Sequence, residues 1–152
     1  MTSILRELAH RRLRSRKLSP QPWPWPGPRV LVEEPDEREG LELAGILREA
    51  GYAVAVCPGP GSAERCPLSG AEGCAVAHGA DVVVSGLAIR RPEVLELLRT
   101  RVPRTPLVVL ADKDTAPALP DGCLRVGVPV DPRELVSTVA DAVAVKQREP
   151  ER

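Results

Sequence analysis

The sequence predicts an α/β fold in which a five-stranded parallel sheet is covered by helices on both faces. Five short apolar runs rich in β-branched residues recur along the chain, and helical patterns lie between most of them. The central run, residues 80–87, follows Gly79 and contains Gly86 near its end. Such a run is typical of a strand buried on both faces, as in the middle of a parallel sheet. The alternation of strands and helices therefore predicts a doubly wound sheet.

The length and composition of the chain predict a single domain with tails. The chain has 152 residues, of which 43% are apolar, and this is enough for a hydrophobic core. It has no Phe, and its aromatic residues are Trp23, Trp25 and Tyr52, so the core must consist of Val, Leu, Ile and Ala. The net charge is zero, which argues against a chain that binds polyanions over its whole surface.

The sequence contains no sign of a membrane-spanning or exported protein. No stretch approaches the roughly 18 consecutive apolar residues of a membrane span, and the N-terminus lacks the apolar core of a secretory signal. We therefore expect a cytoplasmic protein, in which the four cysteines are reduced.

A basic N-terminal segment and a linker, residues 1–28, are predicted to precede the folded domain. Residues 3–17 have the pattern of a short amphipathic helix. Its apolar side chains are Ile4, Leu5, Leu8 and Leu13, and its basic ones are Arg6, Arg11, Arg12, Arg14, Arg16 and Lys17. We expect a solvated tail here. The alternatives are an arm that binds nucleic acid through residues 1–17 or one that binds an anionic membrane surface.

Residues 19–28 read SPQPWPWPGP and predict an extended segment. Alternating prolines block helix and ladder hydrogen bonds and favour the polyproline II conformation. The segment is either a linker or a strap whose two Trp rings lie on the domain, and a ligand for a proline-binding module is a weaker interpretation. We expect the domain to cover residues 29–147, and residues 148–152 to form a disordered tail.

The first strand–helix–strand unit is well marked in the sequence. Arg29–Glu33 is predicted as the first strand and Ala53–Cys57 as the second. Between them a helix starts at Asp36, because the acidic residues that follow stabilise a helix N-terminus. Gly51 is placed to end this helix.

The second crossover, residues 58–80, is irregular because it is rich in Pro and Gly, and at most residues 71–78 form two helical turns. The fourth crossover, residues 112–122, is too short for a full helix and contains Pro117 and Pro120. We therefore expect the second and fourth crossover helices to be shortened or replaced by loops.

The third crossover and the C-terminal region follow regular patterns. A helix is predicted to start at Pro92, since proline is favoured at the first helical position. Residues 106–111 and 123–128 are predicted as the last two strands. Residues 131–134, Asp-Pro-Arg-Glu, combine an N-cap Asp, an N1 Pro and an N3 Glu, so they predict the start of the final helix.

Three segments resemble the response-regulator receiver family. They are RVLVEEPD at residues 29–36, REAGYAV at residues 48–54 and PVDPREL at residues 129–135. The resemblance covers about residues 29–146. It implies a CheY-like, flavodoxin-like fold with strand order 2-1-3-4-5 and a cis peptide bond before Pro129.

Receivers accept a phosphoryl group on an aspartate at the end of the third strand, and the resemblance implies where the reacting groups would stand. The chemistry needs a carboxylate nucleophile, acids that hold Mg²⁺, a hydroxyl and a lysine. The two acids match Glu34 and Pro35, the nucleophile matches Gly86, the hydroxyl matches Ala111 and the lysine matches Val128. Only Glu34 keeps the required type of side chain, so the resemblance implies a scaffold with a degenerate phosphorylation site.

The sequence therefore predicts a signalling or interaction module, a pseudo-receiver that binds a protein partner and is not an enzyme. We expect no Mg²⁺-dependent phosphorylation. The chain also shows no nucleophile–base pair and no phosphate-binding loop of an ordinary enzyme.

A cysteine-rich loop, residues 57–78, supports an alternative hypothesis of a metal-binding or redox sensor. Cys57, Cys66, Cys74 and His78 could supply the ligands of Zn²⁺, and the three thiolates with one other ligand could hold an iron–sulfur cluster. Cys74 and His78 would share a helix face if that turn forms. A disulfide among the three cysteines and thiols without a special role are the other interpretations.

Overall fold

The computed structural model describes residues 23, 26–60, 66–67, 73–112, 114 and 119–148. The predicted amphipathic helix at residues 3–17, the ring of Trp25 and residues 149–152 of the tail predicted at 148–152 lie outside the described residues, whereas Arg148 is the last residue of the final helix.

Five parallel strands form one sheet in the order β2-β1-β3-β4-β5, which confirms the predicted flavodoxin-like arrangement. The strands are β1 (Arg29–Glu33), β2 (Ala53–Cys57), β3 (Val82–Ser85), β4 (Leu107–Asp112) and β5 (Cys123–Val128). In this register the last residues of β1 and β3, Glu33 and Ser85, lie side by side. The sheet therefore brings the carboxyl ends of its central strands together at one edge.

Four helices are formed by the described residues: α1 (Glu37–Glu49), α2 (Ala75–Gly79), α3 (Pro92–Arg101) and α4 (Pro132–Arg148). The predicted caps are present. Asp36 Oδ1 accepts a hydrogen bond from Glu39 N at 3.1 Å, and Asp131 Oδ1 accepts one from Arg133 N at 2.8 Å. Pro92 occupies the first turn of α3, as the sequence predicted.

The second crossover carries the shortest helix, α2, which starts at Ala75 instead of the predicted residue 71; residues 71 and 72 lie outside the described part. Between β4 and β5, residues 114 and 119–122 contain no helix. The described parts of both crossovers thus agree with the prediction of shortened helices or loops.

The sheet has an apolar core on each face, because successive strand residues point to opposite sides. On one face Val32 packs with Leu47 of α1 and Leu135 of α4. On the other face Val83 packs with Leu98 of α3. Among the described residues no helix is long and apolar enough to cross a lipid bilayer.

Trp23 belongs to the core on the α2–α3 face, although it precedes the first strand. Its side chain is 4% exposed, and its indole Nε1–H donates a hydrogen bond to the carbonyl oxygen of Val76 at 3.2 Å. The strap interpretation of residues 19–28 predicts such a contact between the Trp23 ring and the domain.

Replacing Trp23 with Phe should lower the free energy of unfolding by about 1–2 kcal/mol, since the buried carbonyl of Val76 then loses its donor. Urea unfolding followed by far-ultraviolet circular dichroism measures the change. A variant as stable as the wild-type chain would show that the indole hydrogen bond adds nothing to the fold.

Candidate functional site

A cavity of about 770 Å³ opens at the carboxyl edge of the sheet, between α1, the segment after β3 and the ends of β4 and β5. We call it the edge cavity. Four of the five positions matched to the phosphorylation site line it: Glu34, Gly86, Ala111 and Val128. The fifth, Pro35, is exposed and offers no side-chain ligand. The sheet topology thus brings together residues that are up to 94 positions apart in the chain.

Glu34 is the buried acid of this cavity. Its side chain is 3% exposed, and its Oε1 atom accepts a hydrogen bond from Asp36 N at 3.1 Å. Burial raises the pKa of the Glu34 carboxyl, although the hydrogen bond from Asp36 and the nearby charge of Arg90 act in the opposite direction. The carboxyl group is therefore held in place by backbone and side-chain contacts at the end of β1.

Arg90 connects Glu34 to the loop after β3. Its Nε and Nη2 atoms donate hydrogen bonds to the carbonyl oxygen of Gly86 at 3.2 and 2.9 Å. Its Nη2 atom also lies 3.5 Å from Glu34 Oε1. Because the Arg90 side chain is 60% exposed, this ion pair contributes little to stability.

Gly86 leaves the space that the Glu34 carboxyl occupies. A Cβ atom at residue 86 would collide with Glu34 Oε2 and would lie 2.9 Å from Glu34 Cδ. The backbone of Gly86 is not in the left-handed region, so this position excludes side chains through lack of space and not through its φ angle. A carboxylate therefore does lie at the tip of β3 in this structure, but it belongs to Glu34, the residue that follows β1.

The rest of the edge cavity combines an apolar floor with an acidic rim. The apolar floor is formed by Leu43 and Ile46 of α1, Leu110 of β4 and Val130, and Val128 is 48% exposed. The exposed acids Glu39, Glu42 and Asp112 line the opening. The Val128–Pro129 peptide bond, which borders the cavity, is cis.

A second buried acid, Glu33, lies on the opposite face of β1. It is 2% exposed, and its Oε1 atom accepts a hydrogen bond from Ser85 Oγ at 2.7 Å. Ser85 Oγ in turn accepts hydrogen bonds from Leu87 N and Ala88 N at 3.2 and 3.0 Å. Burial raises the pKa of Glu33 from its ordinary value of 4.5 to about 7, while the hydrogen bond from Ser85 limits the increase.

The cysteine loop does not form the predicted metal set among the described residues. Cys57, Cys66, Cys74 and His78 are all described, yet no three Cys, His, Asp or Glu side chains of the described part are arranged to hold a metal ion, and the four cysteines of the chain are free thiols. Cys74 is not on the helix with His78: it caps α2, and its Sγ atom accepts a hydrogen bond from Ala77 N at 3.5 Å.

The cysteines instead fill the α2–α3 core. Cys57 and Cys74 are buried, and Cys66 packs against the same apolar cluster. Burial raises the pKa of the Cys57 thiol well above its ordinary range. The nearby Glu33 carboxyl and the thiols of Cys74 and Cys66 add to this increase, and the described residues give no support to the expectation that the loop is organised around an ion.

Three features of the site were not predicted from the sequence. The Glu33–Ser85 pair had a signal, because strand order 2-1-3 places the polar ends of β1 and β3 side by side. No sequence signal indicated the position of Arg90, since an arginine in a loop is ordinarily solvated. The filling of the space above Gly86 by Glu34 depends on a side-chain conformation that no sequence periodicity reveals.

Comparison with known proteins identifies relatives by structure only. No family model matches the chain, and no curated protein matches it. A response regulator receiver domain protein from Clostridium thermocellum superimposes with a TM-score of 0.56 and 15% identity, over 80% of this chain and 98% of that one. A two-component transcriptional regulator AraC from Clostridium phytofermentans gives a TM-score of 0.60 and 12% identity, over 80% and 96%.

The chemotaxis protein CheY4 of Vibrio cholerae is similar to the same extent. It gives a TM-score of 0.56 and 18% identity, over 77% of this chain and 99% of that one. At these identities the likeness establishes the fold alone. These three solved structures are covered over 96–99% of their own length.

Proposed function

We propose that this protein is a non-catalytic signalling module built on a receiver scaffold, which acts by binding a protein partner and does not accept a phosphoryl group. The observation that carries the proposal is the Glu34 carboxyl above Gly86. A receiver needs a free carboxylate at the tip of β3, whereas here that space is filled by an acid already bonded to Asp36 N and paired with Arg90.

The surroundings of Glu34 support the same proposal. Phosphoryl transfer depends on cations and donors that meet the charge on the phosphoryl oxygens. At the matched positions the edge cavity offers Ala111 and Val128, which have neither a hydroxyl nor an amine. Its rim is acidic, which opposes the approach of a phosphoryl donor, and Pro35 has no side-chain ligand for Mg²⁺.

Incubation with acetyl phosphate and Mg²⁺, followed by intact-mass spectrometry, tests the proposal. We expect no change in mass under conditions in which a competent receiver domain, assayed in parallel, gains about 80 Da. A gain of that size on this chain, lost on treatment with hydroxylamine as an acyl phosphate is, would overturn the proposal.

A further inference from the structure

In the edge cavity, one carboxyl oxygen of Glu34 is available to accept a hydrogen bond from a ligand. Glu34 Oε1 is used by Asp36 N and Arg90, whereas Glu34 Oε2 accepts no hydrogen bond from any described residue. The side chain is 3% exposed and lines the cavity. A buried carboxylate oxygen without a donor is costly, so a cationic group that entered the cavity would be stabilised there.

The rim and the floor specify the shape of such a ligand. Glu39 and Glu42 are on the same face of α1, at i and i+3, and Asp112 lies across the opening. Below them are apolar side chains, among which Val128 is half exposed. A cavity with an apolar floor and a rim that is acidic apart from Arg90, which is already paired with Glu34, matches an amphipathic helix with basic flanks.

The chain itself contains a segment of this chemistry. Residues 1–22 hold six basic side chains against the single acid Glu7 and, because the whole chain is neutral, residues 23–152 carry five more negative than positive charges. Residues 3–17 also carry the apolar side chains Ile4, Leu5, Leu8 and Leu13 at helical spacing. The charges of the segment and of the domain are therefore complementary.

Twenty-two residues precede Trp23, which attaches the segment to the domain. Trp23 is fixed in the core on the α2–α3 face. Five extended residues, 18–22, span roughly 17 Å, and a helix over residues 3–17 would add roughly 22 Å.

We propose that residues 3–17 dock as an amphipathic basic helix in the edge cavity of the same chain, with arginine side chains meeting Glu34, Glu39 and Glu42. This inference deepens the proposed function by naming what the cavity binds.

Hydrogen exchange of the full-length chain, read by mass spectrometry on peptides from residues 3–17, tests the docking. We expect amides of this segment to exchange about tenfold more slowly than in the Glu39→Lys/Glu42→Lys variant. The matched control is Glu49→Lys/Glu96→Lys, which changes the same net charge at exposed positions outside the edge cavity and should leave the protection unchanged.

Two further measurements keep the test independent of how well one variant folds. Adding Arg11→Glu/Arg14→Glu to the Glu39→Lys/Glu42→Lys variant should restore the protection, because the charges are then exchanged. In the unmodified chain, protection should fall when the salt concentration rises from about 0.05 to 0.5 M. A salt-independent exchange rate, or no rescue in a folded charge-swap variant, would overturn the docking.

The same experiments show whether the docked segment belongs to the same chain or to a second copy. They also show whether a negative result concerns the docking alone or the proposed function. Protection that increases with protein concentration together with dimer formation would assign the segment to a second copy and overturn docking within one chain. Unprotected residues 3–17 in a chain that still gains no mass from acetyl phosphate would remove only the docking. A mass gain would remove the proposed function whatever the exchange rates are.

Discussion

Replacing Gly86 with Ala should lower the free energy of unfolding by about 3 kcal/mol, at the upper end of what overpacking of a core costs. The added methyl group would meet the Glu34 carboxyl. Relief requires Glu34 to give up its hydrogen bond from Asp36 N or its contact with Arg90. Urea unfolding gives the change as a shift of the midpoint at constant slope.

Gly45 provides the matched control for this prediction. It lies in the interior of α1, is exposed, and a Cβ atom there would meet nothing within 4 Å. Gly45→Ala should therefore raise the free energy of unfolding by about 1 kcal/mol through helix propensity alone. The two glycine-to-alanine changes are thus expected to have opposite signs.

A double-mutant cycle identifies Glu34 as the cause. Once Glu34→Ala has emptied the space above residue 86, the additional Gly86→Ala change should cost less than about 1 kcal/mol. If the two changes are additive, the carboxyl of Glu34 does not occupy that space, and the explanation given for the glycine is wrong.

The second large effect is a loss of stability as the pH rises, caused by Glu33. The folded chain holds its proton up to about pH 7, whereas an unfolded glutamate, with a pKa of 4.5, has released it. The folded state therefore binds more protons over this interval, and its stability falls as the pH rises from about 4.5 through 7. A shift of this size corresponds to about 3 kcal/mol.

The difference between wild type and Glu33→Gln isolates this contribution. The amide oxygen still accepts the hydrogen bond from Ser85 Oγ, but the side chain no longer ionises. The free energy of unfolding of the variant should rise relative to that of the wild-type chain as the pH rises from about 5 to 9. Glu49→Gln, at an exposed position of α1, should show no such trend. A stability difference that stays flat over this range would contradict a buried, protonated Glu33.

The fold could be predicted from the sequence because each element depends on local patterns. The apolar runs gave β1 to β5, and Asp36 and Asp131 marked helix starts that the structure confirms. The strand order followed from the resemblance to receivers. For α2 only an upper limit of two helical turns could be predicted, since a segment rich in Pro and Gly has no periodicity to read.

The site was predictable only where it depends on position along a strand. The alignment of Glu34, Gly86, Ala111 and Val128 at one edge follows from the topology, and all four line the edge cavity. What fills that edge was not predictable, because it depends on where the Glu34 side chain turns. The metal hypothesis failed to gain support for a similar reason: spacing brought Cys74 near His78 in sequence, but its thiol caps α2.

The most direct test of the account is the intact mass of the Gly86→Asp variant after treatment with acetyl phosphate and Mg²⁺. The variant returns a carboxylate to the position of the phosphoryl acceptor. If Glu34 fills that space, and the matched positions 111 and 128 hold Ala and Val instead of a hydroxyl and a lysine, a variant that circular dichroism shows to be folded gains no mass. A gain of about 80 Da on the introduced side chain would show that one substitution had disabled a working site, and would contradict the account.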